Sequence, residues 1–524
     1  MNEILASDQI GFPILSILIG LPILAAVLMQ FVRSEREQRA MALTVCSLEL
    51  ALALLVAWRF VPGTADIQFV ETGLWMPLIG AAYHLGVDGI SVLFLPLTAF
   101  VILLALLFSP AGGTGQGRFY WQNILLFMAL TMGIFCALDL LMFFMFWELI
   151  LIPSYFLIKL WGIGPQRHYA AIKYVTYMLV GSAPLLISIA ILGSNYATAM
   201  AAGLAPEGGN FNFVELLKVP VPFESQGLIF ILMITGFAVK APVPPFHTWM
   251  PTVLMEGPVG MAILIVGLKL GTYGMLRLVL PLLPEASIAW APIMTWLGVF
   301  AVLYGGVIAL SQMNLRRLLA FASVSHVGLV LLGLFALNMQ SLQGSLMMML
   351  NIGLTSTALM FLAGALHRRT GSTELSAFGG LARYVPRLAF FFFAIGLATI
   401  GTPGTSGFYG EFAVMLGAFQ AHWLLAAVAV IGVVLSAGYF LWYYERAFFG
   451  PPSSPRVAAL RDLNGRETFA MGAVLALVLA IGLFPMPLIN ITSGSVTALA
   501  ARLDISRIAM EPLAADGPQL AQAD

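Results

Sequence analysis

The chain has 524 residues, of which 60% are hydrophobic and 9% charged, and its formal net charge is zero. Soluble globular chains carry about 25% charged residues, so this composition excludes a soluble fold of this size, and the zero net charge gives no reason to expect nucleic acid as a partner. Cys46 and Cys136, the two cysteines, both lie in apolar stretches, which favours small core residues over a disulfide framework or a metal site.

Apolar runs of some 20 residues recur along the whole chain, as in 12–32, 90–108 and 469–488. A helix of about that length crosses the roughly 30 Å of hydrocarbon in a bilayer. Strands of a membrane barrel are about ten residues long and alternate in polarity, whereas these runs do not alternate. The sequence therefore predicts an all-α polytopic membrane protein. The N-terminal residues 1–11 contain no basic residue, so the first run is predicted to be a retained span rather than a signal peptide.

Two of the predicted spans are too long for one crossing and contain helix-breaking residues. About fourteen spans are predicted, at 12–32, 40–59, 89–109, 120–138, 139–161, 169–194, 226–255, 259–281, 286–310, 315–337, 342–366, 384–419, 422–445 and 467–488. The seventh contains Lys240-Ala-Pro-Val-Pro-Pro-Phe, and the twelfth contains Gly401-Thr-Pro-Gly-Thr-Ser-Gly-Phe-Tyr-Gly. Proline lacks a backbone donor and glycine adopts conformations that end a helix. We therefore expect two broken helices, whose freed backbone groups need protein or a water-filled cavity around them at membrane depth.

The distribution of Lys and Arg predicts the orientation of the spans. With the N-terminus outside, 17 of the 24 Lys and Arg residues fall on the inward side and 5 on the outward side, and Lys240 and Lys269 lie inside spans. Such a bias is typical of the cytoplasmic side of a membrane protein. The two breaks are five spans apart, which indicates two inverted five-helix repeats, each containing a broken helix. This pattern points to a transport site near the midplane, with a helical channel or a membrane scaffold as the alternatives.

These repeats divide the chain into four parts. Helices 1–3 occupy residues 1–112, the first repeat (helices 4–8) occupies 113–281, the second repeat (helices 9–13) occupies 282–449, and the last helix and a tail occupy 450–524. The tail is polar and rich in small residues from Met510 onward. We expect it to be loosely ordered.

Five titratable residues lie inside predicted spans, namely Glu148, Lys240, Lys269, His326 and Glu411. A charge at the bilayer centre costs about 2.5–3.5 kcal/mol on insertion scales, so five such groups argue against a role in packing alone. Lys240 ends a half-helix, where exposed carbonyls favour a cation, and Glu411 begins one, where free amides favour an anion.

Residues of these types together form a proton relay. A glutamate beside a lysine stabilises the lysine's charge, so making and breaking the pair switches the lysine between holding and releasing a proton, and histidine titrates near neutral pH. The sequence has no nucleophile–base arrangement, phosphate loop or Cys/His cluster, so we expect no covalent catalysis, cofactor or metal. His247 is either a satisfied loop histidine or a proton carrier. Glu49, which lies mid-span, makes either a subunit contact or a functional site.

Seven segments between residue 85 and about residue 420 match a known family. They are Leu85-Gly-Val-Asp-Gly-Ile-Ser, Phe146-Trp-Glu-Leu, Gly236-Phe-Ala-Val-Lys-Ala-Pro, Pro245-Phe-His-Thr-Trp, Leu268-Lys-Leu-Gly-Thr-Tyr-Gly-Met-Leu-Arg, Ser323-Val-Ser-His-Val-Gly and Pro403-Gly-Thr-Ser-Gly-Phe-Tyr-Gly-Glu-Phe. On these segments the chain resembles the proton-translocating, antiporter-like membrane subunits of respiratory complex I, the NADH–quinone oxidoreductase, and most closely those of the subunit M type.

This resemblance implies a role for each buried titratable residue. Glu148 and Lys240 would be the controlling pair, Lys269 and His326 the central relay, and Glu411 the terminal proton site. The resemblance also implies that other subunits bind NADH, flavin, iron–sulfur clusters and quinone. The expected partners are other membrane subunits of such a complex, the lipid bilayer and protons, with no nucleic acid. The expected location is a bacterial inner (cytoplasmic) membrane or an equivalent energy-transducing membrane.

The chain departs from the family pattern at three places. Thr252 stands where the family often has Asp, Asn314-Leu-Arg stands for Asp-Leu-Lys, and Ile352 falls where the family's usual histidine of the eleventh span lies. Isoleucine cannot relay a proton, so we expect water and nearby polar side chains of that span to bridge the gap. These side chains are Asn351, Thr355 and Ser356.

Three functions compete on this evidence. The first is a proton-translocating subunit of a complex I-type oxidoreductase, in which the side chains of Glu148 and Lys240 approach each other near mid-membrane. The second is a subunit of a multi-subunit cation/proton antiporter or a membrane-bound hydrogenase, which use relatives of the same fold. The third is a scaffold with a non-functional proton path.

Overall fold

The computed structural model describes residues 2–108, 117–206, 209–261 and 269–515. We label its main helices α1 Ile14–Leu28, α2 Glu35–Arg59, α3 Phe94–Phe108, α4 Gly117–Cys136, α5 Leu140–Trp161, α6 Arg167–Ala201, α7 Phe223–Lys240, α8 Trp249–Glu256, α9 Leu270–Leu282, α10 Pro284–Leu310, α11 Leu315–Phe335, α12 Met339–Thr370, α13 Pro386–Thr399, α14 Ser406–Phe448, α15 Gly465–Leu483 and α16 Met486–Ala515. Shorter helical turns are Ala6–Gln9, Met29–Phe31, Pro77–Ile79, Phe213–Leu216, Leu375–Ala377, Leu381–Tyr384 and Pro455–Ala458.

The helices account for the fourteen predicted spans. Within the described residues, 11 helices are long and apolar enough to cross a membrane, and α3, α9 and α13 are shorter apolar helices. The long helix α14 contains the end of the twelfth predicted span and all of the thirteenth, joined across a kink at His422, whose backbone angles (φ −151°, ψ 84°) are not helical. The chain is therefore a predominantly helical multi-pass membrane protein, as its composition predicts.

The first predicted break is present between α7 and α8. Helix α7 ends at Lys240, and α8 begins at Trp249. The connecting turn contains the three prolines of the predicted interruption, which cannot donate backbone hydrogen bonds to continue the helix. Lys240 therefore occupies the last turn of a half-helix, as predicted.

The second predicted break is present between α13 and α14. Helix α13 ends at Thr399, and α14 begins at Ser406. Gly401 (φ +70°) and Gly404 (φ +88°) between them adopt left-handed backbone conformations, which glycine tolerates and other residues rarely do. Helix therefore resumes inside the predicted interruption, five residues before Glu411. The inverted relation of the two repeats stays a prediction.

The eighth predicted span does not run as one helix past Lys269. Lys269 has non-helical backbone angles (φ −91°, ψ 54°) and immediately precedes α9. The middle of α9, Met275–Val279, is a π-helix. Residues 262–268 of the predicted span lie outside the described residues. Like Lys240, Lys269 thus lies at a helix end. Glu411 was expected to begin a half-helix, but it lies five residues inside α14 because helix resumes at Ser406.

Helix α12 forms the centre of the bundle and is buried along its spanning part. It packs against α3, α11, α13, α14, α15 and α16. Its sequence is rich in Gly, Ala, Ser and Thr, small residues that let neighbouring helices approach closely in a membrane. Polar side chains on α12 consequently face protein rather than lipid.

A small sheet and a last helix lie outside the predicted spans. Strand β1 (Glu3–Leu5) pairs in parallel with β2 (Ile67–Met76), which pairs antiparallel with β3 (Ala81–Val87). Helix α16 was not predicted, and it extends to Ala515, into the segment expected to be a loose tail. The rest of that segment, residues 516–524, lies outside the described residues. The buried face of α16 has helical spacing but includes polar residues, so the apolar pattern does not reveal it. It is composed of Thr492, Ser495, Leu499 and Leu503.

Candidate functional site

The end of α7 lies against α5. Lys240 Nζ donates a hydrogen bond to the backbone carbonyl of Trp147 (3.1 Å) and lies 3.7 Å from the centre of the Trp147 ring. Glu148 is the next residue, so covalent geometry places Lys240 Nζ within about 7 Å of Glu148 Cα. Glu148 Oε1 is buried and has no hydrogen-bond partner among the described residues. The structure brings the predicted pair together, with the ammonium held on Trp147 rather than bonded directly to the carboxylate.

Helix α9 begins beside the end of α7. A Cβ atom on Gly271 would lie 2.5 Å from Ala241 N and from Phe237 O. Such distances are too short for any side chain, so glycine is required for this approach of the two backbones. Lys269, two residues before Gly271, is consequently held close to the segment that carries Lys240.

Lys269 and His326 share one buried region. Lys269 is 6% exposed, and its Nζ donates a hydrogen bond of 2.7 Å to Ser323 Oγ on α11. His326 follows Ser323 by three residues, so the two side chains lie on the same face of α11. His326 is 4% exposed, and neither of its ring nitrogens has a hydrogen-bond partner in the described part of the chain. An unsatisfied imidazole beside a bonded lysine can accept a proton.

Polar contacts continue from Lys269 to α12 and on to α14. Thr272 Oγ1 lies 3.0 Å from both Lys269 O and Met349 Sδ. Asn351, two residues after Met349, accepts a hydrogen bond of 2.7 Å from Ser406 Oγ, at the first residue of α14. Asn351 therefore links the central helix to the half-helix that carries Glu411.

The other predicted bridging residues are less directly placed. Thr355 Oγ1 donates to Asn351 O in its own helix (3.0 Å), which leaves its oxygen lone pairs free to accept. Ser356 is 7% exposed, and Ile352 is 1% exposed and packed in the core. Among the described residues, side chains do not form a continuous chain of hydrogen bonds past Ile352.

Glu411 lies in the second turn of α14 and is 6% exposed. It follows Ser406 by five residues, which is about 7.5 Å along a helix axis. Its carboxylate Oε2 would be 2.1 Å from a Cβ atom on Gly401. The broken segment thus folds directly over the carboxylate. Gly401 also has a left-handed backbone conformation (φ +70°) that other residues rarely adopt.

His247 lies in the first break, and the structure gives it one partner. Its Nε2 lies 3.1 Å from the Tyr304 hydroxyl, and its Nδ1 is buried without a hydrogen-bond partner among the described residues. The ring is also in edge contact with Phe321 of α11, with ring centres 6.2 Å apart. Both alternatives for His247 therefore remain open.

Two of the three departures from the family pattern, Thr252 and Asn314-Leu-Arg316, make polar contacts in the structure. Thr252 accepts a hydrogen bond of 3.0 Å from Lys173 Nζ. Asn314 caps α11 by accepting from the backbone of the first turn, and its Nδ2 donates to Glu374 Oε1 (2.7 Å). An aspartate has no such donor and would place two carboxylates together. Arg316 donates to Gly257 O (2.7 Å) just past the end of α8.

Three neutral residues that contact the predicted relay or its bridging residue Asn351 were not identified as site residues from the sequence. They are Trp147, Ser323 and Ser406. All three lie inside the segments that carry the family resemblance, so a signal was present. Titratable residues stand out in an apolar sequence, whereas the neutral residues that bind them do not.

The arrangement is suited to holding and passing protons. It offers a glutamate, two lysines, an imidazole and a second glutamate, with hydroxyl and amide groups between them. Within the described residues, no three His, Cys, Asp or Glu side chains are grouped as a metal site requires. Fold and site together define a polytopic membrane protein with charged residues buried at broken helices.

The chain belongs to the NADH:quinone oxidoreductase/Mrp antiporter transmembrane family, whose pattern matches residues 137–436. It is similar to NADH-quinone oxidoreductase subunit M of Mycobacterium tuberculosis (strain ATCC 25618 / H37Rv), with 35% identity over 526 residues, covering 92% of this chain and 93% of the relative. A chain of respiratory complex I from Thermus thermophilus has a TM-score of 0.83 and 30% identity, with 93% and 99% of the two chains covered. A chain of the Mrp complex from Dietzia sp. DQ12-45-1b has a TM-score of 0.81 and 24% identity, with 94% and 98% covered, and shares the fold.

Proposed function

We propose that this chain is a proton-translocating membrane subunit of a complex I-type NADH–quinone oxidoreductase in a bacterial inner membrane or an equivalent energy-transducing membrane. Its relatives at 30% identity or more carry that name or come from that complex. The Mrp likeness at 24% identity supports the fold alone. A role as a subunit of a cation/proton antiporter is therefore an outcome of the test below.

One observation carries the proposal: Lys240 donates its hydrogen bond to the carbonyl of the peptide that joins Trp147 to Glu148. Lys240 Nζ lies within about 7 Å of Glu148 Cα, and opposite charges some 7–10 Å apart interact by on the order of 2 kcal/mol at an effective dielectric constant of 20. Moving one charge against 100 mV requires about 2.3 kcal/mol. The two energies are similar, so changing the charge of Glu148 is sufficient to decide whether Lys240 keeps its proton.

The route that follows from these contacts begins at Lys240. The proton passes to the Lys269–His326 region, because Gly271 holds the start of α9 against the end of α7. It then crosses α12 beside Asn351 and Ser406 to Glu411, with water filling the gap at Ile352. Water and side-chain groups hand on a proton only over contacts of about 3 Å. The redox reaction in other subunits supplies the energy by changing the charge near Glu148.

Replacing Glu148 by Gln tests the proposal, since Gln keeps the shape and removes the charge. We expect Glu148→Gln to abolish or strongly reduce NADH-driven proton pumping by the assembled complex in proteoliposomes, while all subunits remain assembled. Glu224→Gln is the matched control, because Glu224 is exposed at the start of α7. It should pump as the unaltered complex does.

Two results would contradict the proposal. Unchanged pumping in an assembled Glu148→Gln complex would favour the scaffold. Purification of the chain with partners that exchange Na⁺ for protons without oxidising NADH would assign it to an antiporter instead.

A further inference from the structure

Glu49 is a membrane-embedded carboxyl group that the proposed relay does not use. It lies on α2, 14 residues after Glu35 and 10 residues before Arg59, so about 15 Å of helix separates it from the predicted outward end. Half the thickness of a roughly 30 Å hydrocarbon core is the same distance. Glu49 therefore lies near the middle of the membrane.

The carboxyl group of Glu49 is enclosed by this chain itself. Glu49 is 0% exposed, and both of its carboxyl oxygens are buried without a hydrogen-bond partner among the described residues. A neighbouring subunit cannot touch a side chain that its own chain covers completely. The subunit-contact alternative for Glu49 is therefore excluded. Its negative charge must be compensated or neutralised inside the bundle.

Among the described residues, the helices around Glu49 provide no cation at its level. Helix α2 packs against α1, α3 and α4, and neither α1 nor α3 contains a titratable residue. In α4, Arg118 and Tyr120 lie at the far, inward end, where Arg118 donates to the backbone carbonyl of Gln30. The charged residues of α2 itself lie in its first five positions and at its last, Arg59.

In the described part of the chain, the titratable groups that interact with the carboxyl of Glu49 are two thiols. Cys46 lies one turn before Glu49 on α2, and Cys136 ends α4; both are fully buried and free. Neutral thiols are weak donors and cannot compensate a carboxylate. They give Glu49 an apolar, uncharged environment.

An ionised carboxylate in such a place is strongly unfavourable. Removing a charge from water costs several kcal/mol when neither a counter-ion nor hydrogen bonds compensate it, whereas binding one proton removes the charge. We propose that Glu49 is a proton-binding site separate from the relay. It holds one proton as a neutral carboxylic acid in the α1–α4 bundle. This inference rests on α1–α4 alone and does not depend on the proposed function.

Glu71 provides a matched control in the same region. It is also buried (8% exposed), but its carboxylate accepts hydrogen bonds from Leu15 N (2.7 Å) and Ser16 N (2.9 Å) at the start of α1. Hydrogen bonds to the charged form stabilise it, and the helix N-terminus favours an anion. The carboxylate of Glu71 therefore has the hydrogen-bond donors that the carboxyl group of Glu49 lacks.

Infrared spectroscopy of the full chain, purified with its native partners, distinguishes the two states, because a protonated carboxyl absorbs at higher frequency than a carboxylate. We expect the unaltered protein to show a protonated-carboxyl band that shifts in D₂O. Glu49→Gln should remove one carboxyl's share of that band, and Glu71→Gln should leave it unchanged.

Three results would overturn the proposal. They are an unchanged band in Glu49→Gln, an equal loss in Glu71→Gln, or the absence of any protonated-carboxyl band in the unaltered protein at neutral pH. The last result needs no variant, so the test stands even if Glu49→Gln fails to fold. Proton pumping does not enter this readout, so failure here and failure of the proposed function are separate outcomes.

Discussion

Replacing Gly271 by Ala tests whether the close approach of α9 to α7 positions the relay. The new Cβ atom would stand 2.5 Å from two backbone atoms, Ala241 N and Phe237 O. An ordinary contact begins at 3.4 Å, so the backbones must separate by about 0.9 Å. Overpacking of this kind costs about 1–3 kcal/mol, whereas Ala for Gly in a helix gains only roughly 0.5–1 kcal/mol. We expect a net loss of stability.

The same displacement acts on Lys269, two residues away. If it is transmitted to the side chain, the Lys269 Nζ to Ser323 Oγ distance of 2.7 Å becomes about 3.6 Å, which is no longer a hydrogen bond. A strain of about 1–3 kcal/mol corresponds to a factor of roughly 5–150 between two states. We therefore expect Gly271→Ala to reduce NADH-driven proton pumping by at least about fivefold and to lower the unfolding temperature.

Gly438→Ala is the control for this experiment. Gly438 also lies in a helix, α14, but an added Cβ atom meets nothing within 4 Å. This variant should pump normally and unfold at the same or a slightly higher temperature. Equal behaviour of the two variants in pumping assays would refute the claim that Gly271 positions Lys269.

Further substitutions test individual contacts. Ser323→Ala should reduce pumping because Lys269 loses its hydrogen-bond partner. Ser325→Ala is the control and should not reduce pumping, because the hydroxyl of Ser325 donates to Val302 O instead. Equal pumping by the two variants would remove Ser323 from the route. The double variant Thr355→Val, Ser356→Ala should slow pumping if water bridges past Ile352, and unaffected pumping or a dry apolar plug in a high-resolution map would exclude that route. Arg277→Leu leaves Asp88, its buried partner at 2.5 Å, without a counter-ion, so the free energy of unfolding should fall by about 3–5 kcal/mol. Adding Asp88→Asn should restore part of this loss. An unchanged unfolding temperature in Arg277→Leu would show that the pair is not stabilising.

Sequence patterns predicted the elements that depend on local chemistry. Apolar runs located the spans, and the prolines after Lys240 and the glycines from Gly401 located both breaks, because these residues act on their own backbone. Charges inside apolar runs selected the buried titratable residues. The structure then placed Lys240 beside the peptide of Glu148 and Lys269 in the same buried region as His326.

Features that depend on contacts between distant segments were not predictable in this way. Ser406 was not singled out, because its bond to Asn351 joins residues 55 positions apart. Helix α16 was missed because its buried face contains Thr492 and Ser495, and hydropathy counts them as polar. Glu49 could be located from sequence, but its complete enclosure became evident only from the packing of α1, α3 and α4 around it.

The number of protons translocated per NADH oxidised, measured in proteoliposomes of the assembled complex with Glu411→Gln, tests the central claim most directly. Glu411 lies at the opposite end of the proposed route from Glu148, so Gln there blocks the last transfer without altering the Lys240 contact. We predict that the ratio falls by this chain's share while the subunits stay assembled. An unchanged ratio in an intact complex would show that protons do not pass through this chain by the proposed relay.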